Sequence, residues 1–123
     1  MLEPVSPEQV GSGPGAVDRV LLAVAMIPAG RVASYGDIGR VAGVGPRRVG
    51  SILREHGDEV PWWRVLSASG ESPVLDAARP HWDAEGIAVR RGGLGCRMSV
   101  YRADPHQLAA DYAEASGDRD GLG

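Results

Sequence analysis

At 123 residues with a formal net charge of −3, the chain has the size of one domain whose core folds without disulfide or metal staples. Its single cysteine, Cys96, excludes an internal disulfide and a cysteine-based zinc site, and the apolar run from Val20 to Ile27 is far too short to span a bilayer. No signal-peptide pattern opens the sequence, so a monomer in a reducing cytoplasm, with no cofactor, no metal and no membrane partner, is the expectation.

Charge placement says more than charge total. Residues 31–54 carry Arg31, Arg40, Arg47, Arg48 and Arg54 against Asp37 alone, five positive charges less one negative, or +4. The flanks are acidic, so the positive field is confined to one patch. Every basic residue is arginine, whose planar fork suits phosphates and base edges.

Residues 1–14 hold Pro4, Pro7, Pro14, Gly11 and Gly13 and are expected as a disordered tail. The domain is expected over residues 15–113, with a second tail over 114–123. Val17, Val20, Leu21 and Val24 recur at i, i+3, i+4 and i+7, which predicts an amphipathic helix ending before Pro28. Pro28 to Gly30 reads as a turn and Arg31 to Ala33 as an extended link. Ser34 followed three residues later by Asp37 resembles a capping box. The helix it starts runs through Ile38 and Val41 to Gly43, a residue suited to a left-handed helix end. After the turn at Val44 and Gly45, Pro46 takes the first position of the next helix, where its missing N–H costs nothing.

Two short helices around a glycine-containing turn are the helix-turn-helix signature, although helical hairpins without a nucleic-acid partner share it. In the second of the two, Val49, Ile52 and Leu53 fall on one side. Arg47, Ser51 and Arg54 fall on the other, with Arg48 and Glu55 at the margin. Gly50 costs about 1 kcal/mol relative to alanine in a helix, and the close passage of another backbone or of a DNA strand best explains it. An arginine ridge beside a small residue reads as a nucleic-acid face.

His56 to Val60 forms a polar loop into the run Pro61, Trp62, Trp63, Arg64, Val65. Adjacent residues on an extended segment point to opposite faces, so one tryptophan can join the core while the other looks into a cleft. Packing of both in the core is the alternative. Val65 to Gly70 reads as a strand and turn, the wing. Residues 72–80 read as irregular because of Pro73 and Pro80, and His81 to Glu85 as a helical turn ended by Gly86. Ile87 to Val89 is expected to pair with Cys96 to Tyr101 as a hairpin across Arg90 to Gly93. A last helix is expected from Pro105 to Ala113. The fold class is mainly α, a winged helix-turn-helix with a small β wing or hairpin.

Three stretches, Gly30–Ile38 (GRVASYGDI), Arg47–Leu53 (RRVGSIL) and Pro61–Leu66 (PWWRVL), carry a specific likeness in the right order. With a weaker match from His81 to Gly95, the sequence resembles the DNA-binding domain of the O6-alkylguanine-DNA alkyltransferases. It is more similar still to their non-enzymatic relatives, the alkyltransferase-like proteins. The alkyltransferases carry Pro-Cys-His-Arg-Val in the third stretch, where the cysteine accepts the alkyl group and the histidine activates it. Trp62 stands in the cysteine position and Trp63 in the histidine position. With neither thiolate nor imidazole, alkyl transfer should be absent and no residue is catalytic. The usual alkyltransferase-like pattern is Pro-Trp-His-Arg, from which Trp63 departs.

The resemblance further implies that Tyr35 crowds a DNA phosphate and helps rotate a nucleotide outwards. It makes Arg47 the finger that fills the vacated space, with Arg48 as the alternative in register. Gly50 and Ser51 lie on a recognition helix that enters the minor groove, and Arg54 belongs to the same face. Trp62 lines the lesion pocket, with Trp63, Arg64 and Val65 in its wall. Leu75 stands where relatives carry a lesion-discriminating arginine, a role open to Arg79. Glu85 matches a glutamate that serves the catalytic histidine, and here a structural role is expected.

The implied function is binding of double-stranded DNA containing O6-alkylguanine and flipping of the damaged nucleotide into a tryptophan-lined pocket. The lesion is then flagged for another pathway, such as nucleotide excision repair, whose proteins are the onward partners. Two readings compete with it: an alkyltransferase using Cys96 as nucleophile, and a winged-helix transcription regulator that binds undamaged DNA.

Overall fold

Val20, Ala23 and Val24 are wholly buried on one face of helix α1 (Ala16–Ala25), the face that the apolar spacing marks out. The computed structural model describes residues 15–121, with side chains through 117. The expected tail over residues 1–14 lies outside the described residues. Helix α1 closes where the Met26 and Ile27 N–H groups turn back to Ala23 O and Val24 O, just before Pro28.

Its buried face packs on Ile38 of α2 (Tyr35–Ala42) and on Val49 and Ile52 of α3 (Pro46–His56). Both halves of the capping box are made: Ser34 Oγ accepts from the Asp37 N–H at 2.9 Å, and Asp37 Oδ2 accepts from the Ser34 N–H at 3.0 Å. Gly43 ends α2 at φ 73°, and the Gly43 and Val44 N–H groups both return to Gly39 O. Gly39 is what lets the helices cross, because a Cβ there would collide with the carbonyl oxygen of Val44.

Strand β1 (Ala33–Ser34) pairs in parallel with β2 (Val65–Leu66), in the register Ala33 to Val65 and Ser34 to Leu66. Small as it is, this sheet positions the site. β1 runs straight into Tyr35, and β2 follows directly on the 3-10 turn Trp62–Arg64. Two stretches about thirty residues apart are thereby fixed side by side.

A second core joins Val32, Leu66, Ala78, Trp82, Ile87 and Cys96. It explains why residues 72–80, expected as irregular, are largely helical: α4 spans Leu75–Glu85 with Pro80 inside it. Interior proline costs roughly 3 kcal/mol. Ala78 and Trp82, one turn apart and wholly buried, offset that cost. The Trp82 indole also donates to Trp63 O at 2.7 Å.

The hairpin between Ile87–Val89 and Cys96–Tyr101 does not form. The Arg90 turn is present, with Arg90 N–H on Gly95 O at 2.8 Å, but Met98–Tyr101 is the short helix α5. Residues 94–96 instead hold the wing turn: Cys96 N–H donates to Gly70 O at 3.0 Å, and Glu71 bridges Gly95. Gly70 and Gly95 cross so closely that a Cβ on either would strike the other segment's backbone, a contact that alternation along a strand does not encode. Helix α6 (Pro105–Gly121) passes the expected end at Ala113. The winged helix-turn-helix class stands, with a parallel two-stranded sheet and a turn-like wing as its β component.

Candidate nucleic-acid interface

The five-arginine patch resolves into two kinds of residue. Arg31 donates to Val100 O at 2.9 Å, and Arg40 pairs with Asp37 at 2.7 Å. Asp37 is 3% exposed and also takes two hydrogen bonds from Arg102, at 2.6 and 3.0 Å. Burial alone would raise its carboxyl; the Arg102 hydrogen bonds, the Ser34 N–H and the Arg102 charge together outweigh burial and hold it below the usual range. These charges fasten the start of α2. Arg47, Arg48 and Arg54 remain, all exposed along α3. Arg47 and Arg48 have no intramolecular partner among the described residues, and Arg54 donates to Ser51 Oγ at 3.1 Å.

Beside this ridge lies an open, mostly apolar cleft of about 310 Å³. Tyr35, Gly50, Leu53 and Arg54 form its helix-turn-helix wall, and Trp62 and Val65 its base. Pro73, Val74 and Ala77 close the far side, with Asp58 on the turn after α3. Of the residues expected at the site, Tyr35, Gly50, Arg54, Trp62 and Val65 are thus brought together. Arg47, Arg48 and Ser51 lie along the helix outside the cleft. Burial pushes the Tyr35 hydroxyl up against the opposing charge of Arg54, so it stays protonated. A Cβ at Gly50 would meet only Arg54 Nη1 and Tyr35 Cε1, each at 3.8 Å. Nothing inside the protein requires glycine there.

Trp63 and Arg64 do not line the cleft. They lie on the same 3-10 turn as Trp62, not on the extended chain expected for this run, and meet Glu85 at the end of α4. Glu85 accepts four hydrogen bonds: Gly30 N–H at 3.0 Å, Trp63 Nε1 at 3.0 Å, and Arg64 Nε and Nη2 at 3.0 and 2.5 Å. Arg64 Nη1 also reaches Ile27 O at 2.8 Å. Burial works to raise the Glu85 carboxyl, but Arg64, the Gly30 N–H and the Trp63 indole prevail and bring it down to about 2. The indole nitrogen is a donor without a basic lone pair, so Trp63 cannot accept a proton as an imidazole would.

Trp63 also stacks on His81, with ring centroids 3.8 Å apart and planes within 9°. Trp62 meets both rings edge-on at 5.6 Å. The Trp63–His81 stack therefore backs the residue that faces the cleft. Leu75 packs into the second core and Arg79 is exposed on α4, both outside the cleft lining. Cys96 is wholly buried in that core, where burial pushes its thiol up, and it is absent from the cleft. Leu53 was expected on the apolar face of α3 and not at the site, and Asp58, Pro73, Val74 and Ala77 were not expected at the site either. The last three fall in the stretch that Pro73 and Pro80 made look irregular.

Residues 16–87 match the family described as 6-O-methylguanine DNA methyltransferase, DNA binding domain. The chain belongs to this family. A DNA base-flipping protein of Escherichia coli is 37% identical over 83 residues, covering 61% of this chain and 64% of that protein. The chain thus spans less than two thirds of the length of that relative. Alkyltransferase-like protein 1 of Schizosaccharomyces pombe is 31% identical over 87 residues, covering 63% of this chain and 81% of that protein. Among solved structures, S. pombe Atl1 in complex with damaged DNA containing O6-carboxymethylguanine superposes with a TM-score of 0.65 at 28% identity. That match covers 73% of this chain and 95% of the other. The winged-helix architecture read from the helices is therefore that of this family's DNA-binding domain.

Proposed function

We propose that this protein binds double-stranded DNA carrying O6-alkylguanine, holds the damaged nucleotide outside the helix in the Trp62 cleft, and leaves it chemically unchanged. One observation carries the reading. Trp62, in the position of the family's alkyl-accepting cysteine, lines the same cleft as Tyr35, Gly50 and Arg54.

Extruding a base costs a few kcal/mol of unstacking. On this reading Tyr35 crowds the phosphate of the extruded nucleotide, and Arg47 enters the stack, with Arg48 the alternative finger. Arg48 and Arg54 otherwise meet phosphates. Gly50 and Ser51 let α3 approach the minor groove, and Trp62 offers an indole face to the lesion over Val65. Trp63 and Arg64, tied to Glu85, support that surface from behind. The bound lesion is then flagged for a separate pathway such as nucleotide excision repair, and the protein acts as a cytoplasmic, nucleoid-associated monomer.

The test is titration of a duplex with and without one O6-methylguanine, followed by mass measurement of the recovered protein. The reading expects preference for the damaged duplex and an unchanged protein mass. Equal affinity for both duplexes, or a gain of one methyl group, sinks it.

A further inference from the structure

We propose that Asp58 makes the cleft select for positively charged bases, so that purines alkylated on a ring nitrogen are ligands alongside O6-alkylguanine. This rests on the reading of the cleft as a lesion pocket and extends its chemistry. Alkylation at O6 leaves guanine neutral, whereas alkylation at N7 or N3 of a purine leaves a fixed positive charge on the ring.

Asp58 is the one carboxylate lining the cleft, on a wall otherwise built from Leu53, Val65, Pro73, Val74 and Ala77. It forms neither a hydrogen bond nor an ion pair among the described residues, unlike Asp37 and Glu85, whose oxygens are saturated. Its turn, Gly57–Glu59, runs against Trp62: a Cβ at Gly57 would lie 3.6 Å from the Trp62 Cβ. An unspent carboxylate beside an indole is the pairing that binds flat cations, through cation–π attraction and charge pairing together.

Trp62 strengthens the case. The indole N–H groups of Trp63 and Trp82 are bonded to Glu85 and to Trp63 O, while that of Trp62 has no partner among the described residues. The Trp62 ring meets Trp63 and His81 edge-on and packs against the second core. The opposing charge is Arg54, which also lines the cleft, on the DNA-facing side of α3 and bonded to Ser51. With duplex bound, a phosphate neutralises Arg54 and leaves Asp58 as the unpaired charge facing the base.

The experiment compares four duplexes at one salt concentration, each with a single central guanine, O6-methylguanine, 7-methylguanine (as its 2′-fluoro nucleoside, which resists depurination) or 7-methyl-7-deazaguanine. The last has the shape of 7-methylguanine without its charge. The expected result is that the full chain binds the 7-methylguanine duplex about tenfold more tightly than the 7-deaza duplex. Asp58→Asn, at an exposed position, should abolish that ratio. Equal affinity of the unsubstituted protein for the charged and neutral 7-methyl duplexes overturns the proposal, as does a ratio that survives in Asp58→Asn. Loss of the O6-methylguanine preference in the unsubstituted protein would instead refute the reading of the cleft itself.

Discussion

Trp63 donates its indole N–H to Glu85 Oε2 at 3.0 Å, from the position that the resemblance to the alkyltransferases assigns to their histidine. On that reading a donor-only ring stands in the seat of a base, and the Glu85 carboxylate is spent on structure. The two substitutions in the Pro61–Val65 run therefore differ in kind. On the proposed function, a nucleophile gives way to a surface at Trp62 and an activating group to a strut at Trp63.

Restoring the cysteine alone should accordingly restore no chemistry. Trp62→Cys should take up no methyl group from O6-methylguanine DNA, its thiol titrating near the free value of about 8.5. Trp62→Cys with Trp63→His should lower that value, since an imidazole held by Glu85 can then accept a proton. Thiol titration and protein mass read the two variants. Methyl uptake by Trp62→Cys alone would contradict the role given to Trp63.

The Glu85 cluster also sets an acid limit. Its folded carboxyl lies at about 2, below the ordinary value of 4.5. The stability it contributes is fully present above pH 4.5 and is lost as pH falls towards 2. Asp37, also depressed, adds to the same limb. Glu85→Gln should destabilise the fold by about 3 kcal/mol near neutrality, because Arg64 is left half-buried without its anion. It should also flatten the fall in stability between pH 4.5 and 2 without removing it. Urea melts across that range are the check, and an unchanged slope would mean the cluster is not linked to folding.

Two glycines on adjacent helices should respond in opposite ways. Gly39→Ala drives a Cβ into Val44 O and should cost roughly 1–3 kcal/mol of stability. Gly50→Ala meets only side chains at 3.8 Å, and should stabilise the free protein by up to about 1 kcal/mol while weakening DNA binding. Thermal melts and duplex titrations separate the two effects. A destabilised Gly50→Ala would return that glycine to an internal packing role.

The sequence was most legible where the physics is local. Ser34 with Asp37, Gly43 and Pro46 mark helix ends through their own backbone chemistry, and each does in the structure what its spacing implies. The run from Trp62 was less so: an extended chain was expected there, whereas it forms a 3-10 turn and both indoles pack against the second core. What sequence hid depends on contacts between distant segments. Pro80 reads as a breaker until Trp82 is seen buried beneath it, and Cys96 to Tyr101 reads as a strand until Gly70 is found crossing Gly95. Asp58 looked like loop polarity, because only the fold brings its turn beside Trp62.

Separate roles for the arginines are expected along α3. Arg54→Ala and Arg48→Ala should weaken binding to damaged and undamaged duplexes alike and flatten the salt dependence by roughly one counterion each. Arg47→Ala should instead reduce base extrusion, read by 2-aminopurine fluorescence at or beside the target. If Arg48→Ala abolishes the fluorescence change and Arg47→Ala leaves it, the finger is Arg48.

The central claim is that Trp62 is a binding surface for the extruded base. Its most direct test is the affinity of Trp62→Ala for one duplex with and one without O6-methylguanine, at a single fixed salt concentration. The account predicts a loss of roughly 1–3 kcal/mol on the damaged duplex, the usual worth of base–aromatic stacking. It predicts a far smaller change on the undamaged duplex, because the arginines of α3 still meet its phosphates. Equal losses on both duplexes would contradict it and make Trp62 a packing residue of the domain.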